Sequence, residues 1–430
     1  GRQVLIDCGL FQGYKQLRLK NWSPPPFDPK SIDAVVLTHA HIDHSGYIPL
    51  LVKRGFRRKV HCTPATFELC RIMLPDSGFL QEEEAKFANR HGFSKHAPAL
   101  PLYTKEDAEA SLDRFETRRV EEAFDVAPGV SATFHRAGHL LGAASVQIRA
   151  GDDTILFSGD LGRANDPLLK PPSPPPASDY LVVESTYGDR RHPPDEIEAE
   201  LGPIIRAASA RGATIVMPAF AVGRAQLLLL LLSRLKAKSA IPDLPVYLDS
   251  PMAIDATELY RVFTAEHRLS LSETAAMGRV ATLVHTVEQS KALAHRTGPQ
   301  IIVAASGMAT GGRVVHHLKT FAPDPKNLIL LAGFQAGGTR GAALAAGARS
   351  IRIHGQDVAV NANVIQLNSM SAHADADELI AWMRQMPKPP KETFITHGEP
   401  AASDALRARI ERELGWRASV PEYRDVVQLS

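Results

Sequence analysis

Val35-Val36-Leu37-Thr38-His39-Ala40-His41-Ile42-Asp43-His44-Ser45-Gly46 joins a short apolar run to four groups able to ligate a metal, all within six residues. Side chains alternate along an extended segment, so His39 and His41 project the same way, while the turn that follows swings Asp43 and His44 toward a neighbouring position. Such an arrangement can serve two adjacent metals. A run of surface histidines is the competing explanation, but an apolar strand feeding HxHxDH has no packing reason to gather four polar groups.

Further donors follow other strand-like runs. His139 stands in Ala137-Gly138-His139-Leu140-Leu141-Gly142, Asp160 in Leu156-Phe157-Ser158-Gly159-Asp160, and His397 in Phe394-Ile395-Thr396-His397-Gly398-Glu399. Each alone reads as a capped turn. Together, five histidines and two aspartates form a nitrogen and oxygen set suited to zinc in open, catalytic sites rather than in closed thiolate sites. Cys8, Cys62 and Cys70 form no CxxC pair and are too few for a disulfide scaffold, which points to a reduced, cytoplasmic setting.

The 430 residues are 44% hydrophobic and 22% charged, enough for more than one hydrophobic nucleus. Lys plus Arg is 49 against 47 for Asp plus Glu, and the net charge of +2 excludes a globally electropositive nucleic-acid binder. Any such binding has to use a local groove. The most apolar run, Leu227 to Leu232, falls far short of the ~20 residues of a membrane span and reads as a buried helix face. The chain opens without methionine, already inside the strand-like Val4-Leu5-Ile6, so a missing natural N-terminus is expected.

Short apolar runs closed by turns recur at 34–37, 154–157, 180–183, 214–217, 246–248, 301–304, 327–331 and 393–395. Helical patterns at 225–237, 312–321, 375–385 and 402–414 alternate with several of them. This is the rhythm of an α/β protein. Three strand, glycine-turn, helix units lie between about Asp189 and Asp357, following residues 215–217, 302–304 and 330–331, and read as an inserted domain. None of the glycine loops completes GxGxxG or a Walker pattern, so tight-turn packing explains them better than a nucleotide site.

The combined motifs resemble the metallo-β-lactamase superfamily, an αββα sandwich with a two-metal site. Glu184 in Glu184-Ser185-Thr186-Tyr187-Gly188, His373 in Ser371-Ala372-His373-Ala374-Asp375, and His397 resemble the acidic residue and two histidines of its β-CASP branch of RNA and DNA nucleases. Residues 218–226, 249–252 and 306–313 are similar to that branch's inserted domain. The resemblance implies a metallo-β-lactamase domain over 1–188, a β-CASP domain over 189–357 and the rest of the first domain over 358–430. Against that pattern the sandwich's opening strands are expected to be missing from this stretch, which would leave an edge of the first sheet bare, and no separate C-terminal domain of the ribonuclease J type is expected after the last motif.

Carried over by resemblance, His39, His41 and His139 hold one zinc, Asp43, His44 and His397 hold the other, and Asp160 bridges them. Asp7 matches an acid that orients a ligand imidazole. Two Zn2+ would share a hydroxide that attacks phosphorus, giving 3′ hydroxyl and 5′ phosphate products. His373, held by Glu184, is the expected general acid. Arg224, Arg313 and Ser371 are expected to face substrate phosphates. Single-stranded RNA is the expected partner and a membrane is not; RNA is favoured over DNA because residues 371–375 followed by His397 resemble the RNA-processing members, whereas the DNA-repair members characteristically carry valine in place of His397, and a homodimer stays open. A DNA nuclease of the same branch and a small-molecule metallo-hydrolase are the rival enzymes, the latter having no need of residues 189–357 or His373. A scaffold subunit would be expected to lose ligands, and here every position is filled.

Overall fold

The computed structural model describes residues 1–92, 94–193, 197–333 and 335–429, which form two compact units. The first comprises Gly1–Gln12, Gln16–Arg191 and His373–Ser430; the second comprises Gly13–Lys15 and His192–Ala372.

In the first unit, Val4–Ile6, Ala34–Val36, Lys59–Cys62 and Phe115–Thr117 lie side by side as an all-parallel sheet. A seven-stranded sheet runs in the order Ala418–Ser419, Glu392–Thr396, Tyr180–Glu184, Asp153–Phe157, Ala144–Ala150, Val130–Arg136, Ala123–Ala127. Ala34 and Val36 of the first sheet share one core with Phe134, Ala144 and Val146 of the second, all at most 1% exposed. The two sheets are therefore a sandwich, closed by apolar faces that alternate along each strand. Helix Pro400–Leu414 lies on the strands Glu392–Thr396 and Ala418–Ser419, while Pro64–His91 lies against Phe115–Thr117. This is the expected αββα class.

The second unit is built on a six-stranded parallel sheet in the order Thr282–Leu283, Val246–Asp249, Gln300–Ala304, Thr214–Pro218, Leu328–Ala332, Asn363–Leu367. Helix Arg224–Ala237 carries the leucine run, and Leu227 to Leu232 are all at most 4% exposed, as the pattern implied. This unit extends beyond the boundary expected at residue 357. Asn363–Leu367 pairs in register with Leu328–Ala332, which ties the chain to the inserted sheet up to Ala372. The glycine turn expected at 333–338 includes residue 334, outside the described residues. No described helix is long and apolar enough to cross a membrane.

Asp249, fully buried at the end of its strand, accepts hydrogen bonds from Ser290 Oγ, His317 Nε2 at 2.6 Å and Arg313 Nη1 at 2.6 Å. Arg313 also donates to the carbonyls of Val284 and His285, at 2.9 and 2.7 Å. Removing one partner of such a buried network leaves the others uncompensated, at a cost of about 3–5 kcal/mol. Asp249→Ala is expected to lower the unfolding free energy by that amount. An unchanged denaturant midpoint would remove the network from the stability of the unit.

Candidate metal centre

Strand direction gathers the polar groups. Asp7 follows Val4–Ile6, and the histidine cluster follows Ala34–Val36. His139 follows Val130–Arg136, Asp160 follows Asp153–Phe157, Glu184 ends Tyr180–Glu184, and His397 follows Glu392–Thr396. These strands run the same way within their sheets, so their C-terminal ends deliver the side chains to one edge of the sandwich. Backbone closeness at that edge is extreme at Gly9, whose Cβ would stand 1.5 Å from the Asp43 carbonyl oxygen. Asp7 and His397 adopt left-handed φ values of 58° and 61°, a strained conformation for side-chain-bearing residues that clusters at functional sites.

Two adjacent groups of donors result, with Asp160, Glu184 and His397 forming a third that overlaps them. His39, His41, His139 and Asp160 form one; Asp43, His44 and His397 form the other. In the first, His41 Nδ1 lies 3.1 Å from His39 Nε2 and 3.2 Å from His139 Nε2, while Asp160 Oδ2 lies 3.4 and 3.5 Å from the same two Nε2 atoms. In the second, His44 Nε2 lies 2.9 Å from His397 Nε2, which is 3.5 Å from Asp43 Oδ2. The other oxygen, Asp160 Oδ1, faces this second group at 3.4 Å from His44 Nε2 and 3.3 Å from His397 Nδ1.

The donor set fits zinc. Ligands bonded at about 2.0–2.1 Å to a tetrahedral ion stand about 3.3–3.4 Å apart, close to the spacings here. Asp160 is 2% exposed, and Oδ1 has no hydrogen-bond partner among the described residues. A buried carboxylate oxygen facing imidazole nitrogens has its charge balanced either by protons on those rings or by a cation held between them. His39 and His139 are buried, whereas the side chains of Asp43 and His397 are 40% and 29% exposed, so the centre is open on the side of the second group.

Electrostatics separates the groups. Burial, reinforced by neighbouring histidines, holds His39 and His139 well below the ordinary histidine range and pushes His41 down to about 4. Burial also opposes charge on His44 and His397, but Asp160 with Asp7 raises the first well above its usual value, and Asp160 with Asp43 raises the second to about 9. The first group thus offers bare nitrogens at neutral pH, while the second has to release protons before it can ligate. Zinc affinity of the second group is expected to fall about tenfold per pH unit below about 9 for the proton displaced from His397, while that of the first changes little between about pH 6 and 9. Zinc titrations at several pH values, with proton release followed in weak buffer, check this; equal slopes for both ions contradict it.

Asp7 Oδ2 accepts from His44 Nδ1 at 2.7 Å. Glu184 is fixed by the Leu161 amide at 2.6 Å on Oε1 and lies 3.2 and 3.1 Å, through its two oxygens, from His373 Nδ1. The His373 ring packs 4.4 Å from that of His139, between ring centroids, without joining either donor group. Arg224 and Ser371 are buried in the second unit, 8% and 3% exposed. Arg313 departs from expectation, since Asp249 and two carbonyls hold its guanidinium as a structural group. Two threonines went unremarked in the sequence. Thr38 precedes the first ligand histidine and Thr186 follows Glu184 by two, and adjacency to those residues was the available signal.

Comparison with known proteins agrees with this geometry. Residues 1–199 match the metallo-β-lactamase superfamily, 225–344 the Beta-Casp domain, and 357–421 the Zn-dependent metallo-hydrolase RNA specificity domain. The chain belongs to the β-CASP branch of the metallo-β-lactamase superfamily, and it is a metallo-hydrolase by fold and site. Among its relatives, Ribonuclease TTHA0252 of Thermus thermophilus is 37% identical over 406 residues, spanning 93% of this chain and 88% of that protein. Transcription termination factor FttA of Methanocaldococcus jannaschii is 30% identical over 445 residues, 99% of this chain and 68% of that one. A protein of unknown function from Enterococcus faecalis shares the fold, with a TM-score of 0.51 at 14% identity over 98% of this chain and 93% of that chain.

Proposed function

We propose that this chain is a two-zinc ribonuclease that hydrolyses phosphodiester bonds of single-stranded RNA in RNA processing or decay, leaving a 3′ hydroxyl and a 5′ phosphate. The observation that carries the reading is Asp160, whose two oxygens each face a different donor group. The match of residues 357–421 to an RNA specificity domain, and the relative named a ribonuclease, favour RNA over DNA or a small ester.

His39, His41, His139 and Asp160 would hold one ion, and Asp43, His44, His397 and Asp160 the other. When bound, the pair supplies activated water at neutral pH and charge neutralisation at the phosphate. The chain's own residues do the rest. Asp7 keeps the His44 ring in its ligating orientation through the 2.7 Å contact. His373 gives a proton to the leaving 3′ oxygen. Burial works against its charged form, but the Glu184 carboxylate outweighs that and holds His373 above the ordinary histidine range, so it reaches neutral pH carrying the proton it has to donate. Arg224 and Ser371 remain candidate phosphate contacts, and Arg313 holds loop structure instead. A cytoplasmic location fits three buried, unpaired cysteines.

Zinc-loaded protein should cut an end-labelled single-stranded RNA, lose that activity to a chelator, and spare DNA of the same sequence. Cleavage of DNA alone, or of a small lactam or thioester alone, overturns the assignment.

A further inference from the structure

Two threonine hydroxyls touch ligand imidazoles, and counting hydrogens around each leaves one arrangement. Thr38 Oγ1 lies 2.9 Å from Asp7 Oδ2 and 3.0 Å from His39 Nδ1. The Asp7 carboxylate already takes the Thr38 amide on Oδ1 at 2.7 Å and His44 Nδ1 on Oδ2, and it serves all these groups as an acceptor. A hydroxyl has a single hydrogen, so that of Thr38 goes to Asp7 and its lone pair faces His39. His39 therefore carries its hydrogen on Nδ1. Its bare nitrogen is Nε2, the atom directed at His41 Nδ1 and Asp160 Oδ2.

The same count applies at the other group. Thr186 Oγ1 lies 3.1 Å from the His397 carbonyl oxygen, which can only accept, and 3.2 Å from His397 Nδ1. Its hydrogen goes to the carbonyl, so its lone pair and Asp160 Oδ1, 3.3 Å away, both face His397 Nδ1 as acceptors, and Nδ1 carries a hydrogen. The nitrogen left to give up its proton and ligate is Nε2, directed at His44 Nε2 and Asp43 Oδ2.

We infer that Thr38 and Thr186 are positioning residues: Thr38 fixes which nitrogen of His39 is bare in the first donor group, and Thr186, together with Asp160 Oδ1, fixes which nitrogen of His397 ligates in the second. This rests on the reading of the two groups as zinc sites. Asp7 then serves both groups, directly through His44 and through Thr38 to His39. Thr38 is 1% exposed, so no solvent water can replace its hydroxyl; Thr186 is only half-buried, and water can substitute in part. Loss of a group that orients a ligand typically costs about 10–100-fold in metal affinity, so Thr38→Val belongs near the upper end and Thr186→Val near the lower.

The test uses the full chain, stripped of metal and titrated with zinc against a chromogenic chelator. An Asp43→Ala background isolates the first group and a His139→Ala background the second. Thr38→Val should weaken zinc binding about 100-fold in the first background and leave the second near its own parent. Thr186→Val should weaken the second about tenfold and leave the first near its own parent. Thr38→Ser and Thr186→Ser, which keep the hydroxyl, should restore binding in each case. Valine variants that bind as tightly as their parents, that weaken both groups alike, or that serine fails to rescue overturn the role of the hydroxyls. If the unsubstituted chain itself takes up fewer than two zinc ions, the zinc reading fails instead, and the two failures are told apart by that control.

Discussion

Asp160→Ala should leave a protein that retains fewer than two zinc ions and cleaves RNA at least about 10³-fold more slowly than the parent. The size of the effect follows from position. Asp160 Oδ2 stands 3.4 and 3.5 Å from His39 and His139, and Oδ1 stands 3.4 and 3.3 Å from His44 and His397, so a single truncation removes a donor from both groups. It also removes the negative charge that, with Asp7 and Asp43, favours the charged forms of His44 and His397. Asp160→Asn keeps the shape but neutralises the charge and offers one oxygen acceptor, so it should retain more zinc than the alanine variant. Because the unsubstituted carboxylate is buried and crowded by histidines, thermal unfolding of the metal-free variants has to accompany the zinc count. Activity within tenfold of the parent would remove the bridge from the account.

His373→Ala should retain both zinc ions yet slow single-turnover cleavage by ~10²–10⁴-fold, the usual contribution of general acid catalysis. The ring is held by Glu184 and lies outside both donor groups, so its loss touches the leaving group and not the metals. The pH profile gives the sign. A general acid acts while protonated, so with its pKa raised by Glu184 the parent rate should fall only as pH rises through that raised value. The alkaline limb should vanish in His373→Ala and move to lower pH in Glu184→Gln. A substrate with a more acidic leaving oxygen needs less protonation and should suffer a smaller loss. Equal losses for both substrates would make His373 a phosphate-binding group, and zinc loss would make it a ligand.

Much of the centre was readable because chemistry and periodicity coincide in one segment. The apolar run feeding HxHxDH places His39, His41, Asp43 and His44 without any long-range information, and His139, Asp160 and His397 each follow a strand pattern that the structure contains. What escaped depends on partners distant in sequence. Arg313 in a glycine loop looks like a cation awaiting phosphate until Asp249, 64 residues away, is seen to hold it. Asn363–Leu367 reads as one more short run, and its membership of the inserted sheet is decided by pairing with Leu328–Ala332. Helix Pro64–His91 escaped the pattern because Pro75 interrupts it and most of its second half is not buried. The threonines escaped because a hydroxyl beside a ligand histidine carries no signature until its acceptor is located.

The most direct measurement is a stepwise zinc titration of the metal-stripped full chain with RNA cleavage read at each step. The account predicts two ions bound per chain, cleavage that rises with the second equivalent, and products ending in a 3′ hydroxyl and a 5′ phosphate. Full activity at one equivalent, or saturation at a single ion in a folded protein, would contradict it.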